Sequence, residues 1–304
     1  MTMNAIREIS AAAPWFFPAL CLVLGACVGS FLNVCIYRLP KGESVVTPRS
    51  HCGCGRPIAW YDNLPVISWV LLRGKARCCG RPFSVRYALI ELCTALLFVA
   101  CWLLFPPGKA VAGMALCALL VGATFIDLDH MIIPDGFTIG GAVAGVLLSL
   151  MLPELHSQSH EIFMIASLRS GLDAVIGLLV GSGLVLWIAL LAETVLKKEA
   201  MGFGDVKFLG AIGAFVGWKG AVFAIFGGAM LGCVWFLFAL GWEKVAGRPA
   251  SVGPKIESPE GQPAELGLGA HVSFGPMLAA GALLYFFGLH GWVDRYFASV
   301  TVLF

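Results

Sequence analysis

Two aspartates in strongly apolar surroundings are the residues of this sequence best placed to do chemistry. Asp205 stands in the stretch GFGDVK, behind Gly202 and Gly204 and ahead of Lys207. Asp127 follows an apolar run and opens the stretch DLDHMIIPD. An ionisable side chain in hydrocarbon costs about 2.5–3.5 kcal/mol even on the lenient insertion scale. Acids in such places are therefore candidates for function.

A pair of carboxylates has a defined chemistry when the two are brought together. Two like charges within a few ångströms cannot comfortably both ionise, so the pair holds one proton. Such a pair can hydrolyse a peptide bond, because one carboxylate takes a proton from water while the protonated one donates to the scissile carbonyl. Gly202 and Gly204 would let a peptide backbone approach Asp205 and would permit a left-handed backbone before the helix. Lys207 would either place a compensating charge near the pair or extend to the membrane surface.

Three alternatives to hydrolysis exist for these aspartates. A single aspartate at the end of a span is usually an interfacial residue or a helix cap, which is how we interpret Asp129 and Asp135. Paired intramembrane acids also relay protons in transporters. A membrane assembly scaffold, in which the carboxylates are only structural, is the third alternative. A transporter needs a pathway across the bilayer, whereas the middle of the predicted spans shows little beyond Glu91, so hydrolysis is favoured.

Membrane helices are the elements that must position the two aspartates. The chain of 304 residues is 59% hydrophobic and 12% charged, whereas soluble domains have about 25% charged residues. We predict an all-α, polytopic membrane protein with about eight transmembrane helices. We divide it into a first transmembrane helix (1–37), a cytoplasmic cysteine-containing loop domain (38–86) and a membrane-embedded helical bundle (87–304). The predicted apolar segments are 14–37, 87–105, 109–126, 132–152, 171–192, 206–217, 220–241 and 272–289.

The distribution of lysine and arginine predicts the orientation of these segments. With the amino terminus outside, the inner loops carry fourteen basic residues and the outer segments five. Basic residues accumulate on the cytoplasmic side of membrane proteins. This orientation places Asp127 and Asp205, which come from distant parts of the chain, at the same cytoplasmic edge of the bilayer.

The predicted inner loop 38–86 is strongly basic. It carries nine basic residues against Glu43 and Asp62, so we expect it to lie on anionic lipid headgroups. The membrane lipids account for this charge, and no nucleic acid partner is expected.

Two cysteine pairs in the loop suggest a metal site. Cys52 and Cys54 are separated by one residue, and Cys78 and Cys79 are adjacent. In a reducing compartment such pairs suggest structural zinc more than disulfides. The usual zinc knuckle has two residues between its cysteines, so zinc ligation and its absence stay open, with His51 as a substitute ligand.

Six stretches of the chain together resemble one known family: GSFLNVCIYR (29–38), the cysteine pairs flanking WYDNLPVISW (60–69), RYALIE (86–91), IDLDHMIIPD (126–135), GFGDVK (202–207) and FGPMLAAG (274–281). In this order, and spanning nearly the whole chain, they resemble the type IV prepilin peptidases. The resemblance implies an eight-span inner-membrane aspartic protease that removes the short basic leader of type IV prepilins or type II secretion pseudopilins at the cytoplasmic face. It also implies methylation of the new amino terminus with S-adenosylmethionine. The family's two catalytic aspartates fall on Asp127 and Asp205.

The chain departs from the family pattern in its cysteines, because the family typically has two C-x-x-C motifs and both spacings are shorter here. A glycine-rich G-x-G-x-x-G turn after a strand is absent from the sequence, so no soluble nucleotide-binding domain is predicted. From the resemblance we expect the S-adenosylmethionine site to involve the region 38–91, with no prediction for individual residues. The oligomeric state is also left without a prediction.

Overall fold

The fold is known from a computed structural model that describes residues 3–197, 201–246 and 273–301. Within these ranges the chain is helical and contains no β-strand, only two isolated bridges in the loop that follows the first long helix. The all-α prediction is therefore confirmed. The helices are α1 (Met3–Ala12), α2 (Phe16–Arg38), α3 (Ile67–Leu71), α4 (Val85–Leu104), α5 (Pro107–His130), α6 (Asp135–Met151), α7 (Phe163–Leu196), α8 (Phe203–Ala246), α9 (Gly275–Leu284) and α10 (His290–Thr301).

Six helical segments in the described ranges are long and apolar enough to cross a membrane. They begin at Phe16, Val85, Pro107, Phe163, Phe203 and Gly275, and each overlaps predicted segments. Helix α6, with 17 residues, is a shorter apolar helix, and α8 covers two predicted segments at once. The polytopic membrane class is thus confirmed, with six candidate spans by length.

The chain forms two compact units, residues 1–122 and 123–304, divided within α5. In the first unit α2 packs directly on α4 through glycines. A side chain at Gly25 would lie 2.7 Å from the Cα of Ala95, and one at Gly29 would lie 2.7 Å from the Cα of Glu91. Small residues four apart allow such backbone contact between membrane helices.

Polar contacts attach the loop between α2 and α4 to both of these helices. The buried guanidinium of Arg38 donates to the carbonyl oxygens of Ser44 at 2.9 Å and Pro48 at 2.8 Å. The N–H of Val66 donates to the Glu91 carboxylate on α4 at 2.7 Å. Val66 has φ 61°, a conformation rare for a β-branched residue. Glu91 therefore stabilises a strained turn of the loop.

The first half of α8 forms the centre of the second unit. It is apolar around its whole circumference, as expected of a helix enclosed by others. Its side chains are almost completely buried at Phe208, Leu209, Ala211, Ile212, Ala214 and Phe215.

The chain reverses direction at Gly217, inside α8. This glycine has φ 73° and ψ 176°, a conformation open essentially only to glycine. A side chain at Gly181 of α7 would lie 2.6 Å from the carbonyl oxygen of Leu209 and 3.3 Å from the Cβ of Ala221. Residues on both sides of Gly217 thus face the same turn of α7. Residues 203–216 and 218–246 are therefore two helices that run in opposite directions.

Helix α6 runs parallel to the first half of α8. Lys207 reaches Asp135 at the start of α6, and a side chain at Gly145 would lie 2.8 Å from the Cβ of Ala214. At the far end the His156 ring lies 3.1 Å from the hydroxyl of Ser149. Both helices therefore begin at one end of the second unit.

Candidate active site

Asp127 lies in the last turn of α5 and is only 5% exposed. Its Oδ2 accepts a hydrogen bond of 3.0 Å from the backbone N–H of Gly275, 148 residues away in the sequence. The N–H groups of the first turn of a helix have no partner within that helix. The start of α9 therefore supplies a donor that holds the buried Asp127 carboxylate.

Asp205 is the third residue of α8 and is half-buried. Its own N–H donates to the carbonyl oxygen of Gly202 at 3.1 Å, and its carboxylate accepts a hydrogen bond from the backbone of Gly202. An acidic side chain at the third helical position commonly reaches back to the residue that caps the helix. The GFGD stretch thus positions Asp205 locally, through the first turn of its own helix.

The structure brings Asp127 and Asp205 together. Their charges lie close enough to interact. Ile133, in the connection between α5 and α6, lies beside Gly204, which precedes Asp205, and beside Gly275, which binds Asp127. A side chain at Gly204 would lie 3.7 Å from the Ile133 Cβ, and one at Gly275 would lie 3.3 Å from its Cδ1. The two carboxylates therefore lie at one end of the second unit, together with Asp135 and Gly275. We call this the aspartate end.

Gly202 and Gly204 leave space next to Asp205. The nearest atom to a side chain added at Gly202 is the Asp205 Oδ2, at 3.9 Å. Neither glycine has a positive φ. The expectation of a left-handed backbone before α8 is wrong, because the helix begins directly after Gly202 with no turn that requires it. What these glycines provide is room.

Lys207 pairs with Asp135 and with neither member of the aspartate pair. Its Nζ lies 2.8 Å from the Asp135 Oδ1 and 5.4 Å from the centre of the Phe203 ring. Asp135 also accepts a hydrogen bond of 3.4 Å from the hydroxyl of Thr138. Asp135, interpreted from the sequence as a helix-start residue, does begin α6, and it also joins α6 to α8. Apart from their opposite charges, nothing in the sequence indicates that these two residues form a pair.

The four loop cysteines form one cluster. Their sulfur atoms all lie within 4.8 Å of one another, with Cys52 and Cys79 at 3.6 Å and Cys54 and Cys78 at 3.5 Å. Tetrahedral zinc with Zn–S bonds of about 2.3 Å requires sulfur atoms about 3.8 Å apart. The donor set therefore fits zinc despite the short spacings. His51 lies outside this group, with its Nδ1 3.3 Å from the Arg49 carbonyl oxygen.

The thiols of the cluster differ in acidity. A hydrogen bond from the backbone N–H of Arg56, and a weaker contribution from the Cys78 thiol, lower the pKa of Cys54 to about 7. The pKa of Cys78 rises to about 12, because its thiol donates a hydrogen bond to Cys52, which is the larger cause, and another to Cys54. Cys54 therefore ionises more readily than Cys78.

Sequence reasoning missed two residues of the aspartate end, Gly275 and Ile133. Gly275 lies in FGPMLAAG, a stretch that resembles the family but has no side chain at this position to suggest a role. Ile133 is one apolar residue among many. Only the folded chain shows that both contact the site.

Two stretches of the chain match known families. Residues 23–105 match the bacterial peptidase A24 N-terminal domain, and residues 114–237 match the type IV leader peptidase family.

Curated proteins named prepilin leader peptidase/N-methyltransferase are similar over most of the chain. The protein from Myxococcus xanthus is 38% identical over 254 residues, which cover 82% of this chain and 69% of that protein. The one from Pectobacterium carotovorum is 36% identical over 278 residues, covering 83% and 94%. The one from Klebsiella pneumoniae is 37% identical over 223 residues, covering 70% and 91%. No solved structure matches the chain. On these similarities, the chain belongs to the type IV leader peptidase family.

Proposed function

We propose that this protein is a prepilin leader peptidase and N-methyltransferase, in which Asp127 and Asp205 form the catalytic pair. The observation that carries the peptidase proposal is the meeting of two carboxylates from separate helices at the aspartate end. The substrate class, prepilins, comes from the names of the relatives. Pseudopilins belong to the same proposal through the sequence resemblance.

Hydrolysis by the pair begins with two proton transfers. The ionised carboxylate takes a proton from water, whose oxygen attacks the scissile carbonyl carbon, while the protonated carboxylate donates to the carbonyl oxygen. The tetrahedral intermediate then collapses and the C–N bond breaks. The leaving nitrogen takes the proton of the carboxylate that had accepted it from water, while the other carboxylate takes a proton from a hydroxyl of the intermediate. The pair then again holds one proton between its two members. Gly202 and Gly204 give the substrate backbone room to lie against Asp205.

We assign eight membrane crossings to the chain, with the amino terminus outside and the aspartate end at the cytoplasmic face of the inner membrane. The reversal at Gly217 makes two crossings of α8, and α6 adds one because it runs parallel to the first of these. The basic residues in the loops 38–86 and 193–205 favour this orientation.

The methyltransferase activity follows from the relatives' names, and its methyl donor in this proposal is S-adenosylmethionine. When bound, that cofactor supplies a methyl group to the newly exposed amine, which gives up a proton. The described part of the chain has no β-strand and so lacks the strand, glycine turn and helix that bind nucleotides in other proteins. No residue of this chain is assigned to the cofactor.

Cys52, Cys54, Cys78 and Cys79 would hold a structural zinc ion. The support is the fit of their four sulfur atoms to a tetrahedron. A site closed by four protein ligands leaves no position for water or substrate, so zinc would order the loop and take no part in hydrolysis.

The transporter and scaffold alternatives have less support. A proton pathway needs ionisable groups at several depths, whereas Asp127 is the only buried charged residue among those described in the second unit. A scaffold gives no reason for two like charges to be placed together, because such a placement destabilises the fold.

Cleavage by purified variants tests the proposal. A prepilin with a short basic leader is incubated in liposomes with S-adenosylmethionine and with wild type, Asp127→Asn or Asp205→Asn. The masses of the products are measured by mass spectrometry. We expect wild type to release the leader and methylate the new amino terminus. Each Asn variant should lose at least about 1000-fold in cleavage rate, because removing one member of a catalytic group removes most of its effect.

Asp294→Asn is the matched control. It removes one carboxylate from a partly exposed ion pair with Lys219, away from the aspartate end. We expect it to cleave at the wild-type rate. Wild-type cleavage by a folded Asp127→Asn or Asp205→Asn enzyme would remove that residue from the mechanism.

A further inference from the structure

The first residue of the last membrane segment is a glycine pressed against a catalytic carboxylate. Gly275 begins α9, and its N–H donates to the Oδ2 of Asp127 at 3.0 Å in a buried setting. Pro276 follows as the second residue of the helix, a position that suits proline because no hydrogen bond is lost there. The N–H of Gly275 is thus free of the helix and available to Asp127.

The space around Gly275 excludes any side chain. A Cβ atom at this position would lie 2.6 Å from the Asp127 Oδ2, 3.2 Å from its Cγ and 3.3 Å from the Cδ1 of Ile133. Gly275 does not have a positive φ. Lack of room is therefore what excludes other residues, because the backbone conformation suits any of them.

Helix α9 has little freedom to move away from Asp127. A side chain at Gly228, in the second half of α8, would lie 2.6 Å from the carbonyl oxygen of Met277. One turn further along α9, a side chain at Gly281 would lie 2.5 Å from the carbonyl oxygen of Ala224. With the two backbones in contact, α9 cannot shift closer to α8 to make room at Gly275.

We propose that Gly275 is a positioning residue for the reaction: its N–H fixes one oxygen of Asp127, and its missing side chain lets that carboxylate reach its place beside Asp205. This inference rests on the proposed function, since it assigns Asp127 to the chemistry. The Oδ1 of Asp127 is then the oxygen left for water or substrate. A structural role alone, in which glycine only lets α9 pack, would leave the geometry of Asp127 unchanged.

Kinetics of Gly275→Ala separate these roles. The added methyl group must displace the Asp127 carboxylate, and a misplacement of about 1 Å can cost about 100-fold in rate. We expect kcat for prepilin cleavage to fall by about 100-fold and KM to change by less than about threefold, because substrate binding is not touched. Methylation of a substrate supplied without its leader should continue at the wild-type rate.

Gly136→Ala is the matched control. Gly136 is the second residue of α6, which begins at the same end, and a side chain there would have no atom within 4 Å. We expect this variant to cleave at the wild-type rate. Wild-type kcat in a folded Gly275→Ala enzyme would overturn the proposal.

A thermal double-mutant cycle tests the contact without reference to catalysis. Melting temperatures are measured for wild type, Gly275→Ala, Asp127→Ala and the double variant. Because Asp127→Ala removes the atoms that the new methyl group would meet, Gly275→Ala should lower Tm in the wild-type background and change it little in Asp127→Ala. Equal shifts in both backgrounds would overturn the proposal. If Asp127 proved not to be catalytic, the cycle would still report this contact, so the two failures are distinguishable.

Discussion

Asp127 and Asp205 are held by different parts of the chain. Asp205 is positioned by the first turn of its own helix, through Gly202. Asp127 depends on the N–H of Gly275, which comes from the other end of the second unit's sequence. This difference explains what the sequence predicts well. The local stretch GFGD is enough to identify Asp205 as a candidate. Nothing in the sequence near Asp127 indicates that a distant glycine binds its carboxylate.

The ion pair of Asp135 and Lys207 gives a prediction at this scale. It joins the starts of α6 and α8 at 2.8 Å and is partly exposed, and such pairs contribute about 0.2–1 kcal/mol. We expect Lys207→Met to reduce kcat for prepilin cleavage by no more than about fivefold, the rate equivalent of 1 kcal/mol. The charge-swapped variant with Asp135→Lys and Lys207→Asp should recover most of the loss.

Steady-state cleavage rates at low and high salt check this prediction. Salt screens exposed pairs, so the difference between wild type and Lys207→Met should shrink as salt rises. A loss of more than about 100-fold, insensitive to salt, would mean that Lys207 acts in the chemistry and that its contact with Asp135 is secondary.

Among the elements, the apolar spans are predictable and their ends are less so. Predicted segments end at 217 and restart at 220, and the structure reverses the chain at Gly217. Helix α7 begins at Phe163, eight residues before the predicted 171. Polar residues hide this start, since Ser167 bonds the carbonyl oxygen of Leu150 at 2.6 Å and so satisfies its hydroxyl inside the protein. A search for apolar segments misses such a helix start, because the hydrogen-bond partner of the polar side chain is known only from the fold.

The loop between α2 and α4 is the element whose order we expect to depend on metal. It has only short helical turns, and its four thiols come from two separate stretches, at 52–54 and at 78–79. Metal binding often supplies the folding energy of such small domains. We expect one zinc per purified chain by elemental analysis, and none in Cys52→Ser with Cys79→Ser.

Limited proteolysis of the same samples provides a second measurement. The zinc-free variant should be cut within residues 42–84 faster than wild type. The matched control is Cys27→Ser, an exposed cysteine on α2 outside the cluster, which should keep its zinc and its resistance. A wild-type chain that purifies without zinc, yet resists proteolysis in this loop, would contradict a structural metal.

For the whole molecule, the reversal at Gly217 decides how many times the chain crosses the membrane. Reporter fusions measure this directly, with green fluorescent protein fluorescing only inside and alkaline phosphatase active only outside. We expect phosphatase activity for fusions after Gln158 and after Lys219, because the turns at His156 and Gly217 lie at the same end of the second unit. The fusion after Lys197 should fluoresce instead.

The fusion after Lys219 is the decisive one. Fluorescence at this position would mean that the first half of α8 does not cross, and the eight-crossing assignment would fail. The sequence predicts the crossings because each is an apolar run. It cannot predict which helices meet, since the contacts of α9 with Asp127 and of α6 with α8 join residues far apart in the chain.

The shortness of the helices around the aspartates has a consequence for the membrane. Helix α6 has 17 residues and the first half of α8 has 14, so they measure about 25 and 21 Å against a hydrocarbon core of about 30 Å. A bilayer adapts to short helices by thinning around them. A substrate helix long enough to span a bilayer of normal thickness would then be too long for the thinned region. Its end would protrude into water beside Asp127 and Asp205. Hydrophobic mismatch would thus deliver both the scissile bond and the water that cleaves it, with no need to unwind a helix inside the hydrocarbon.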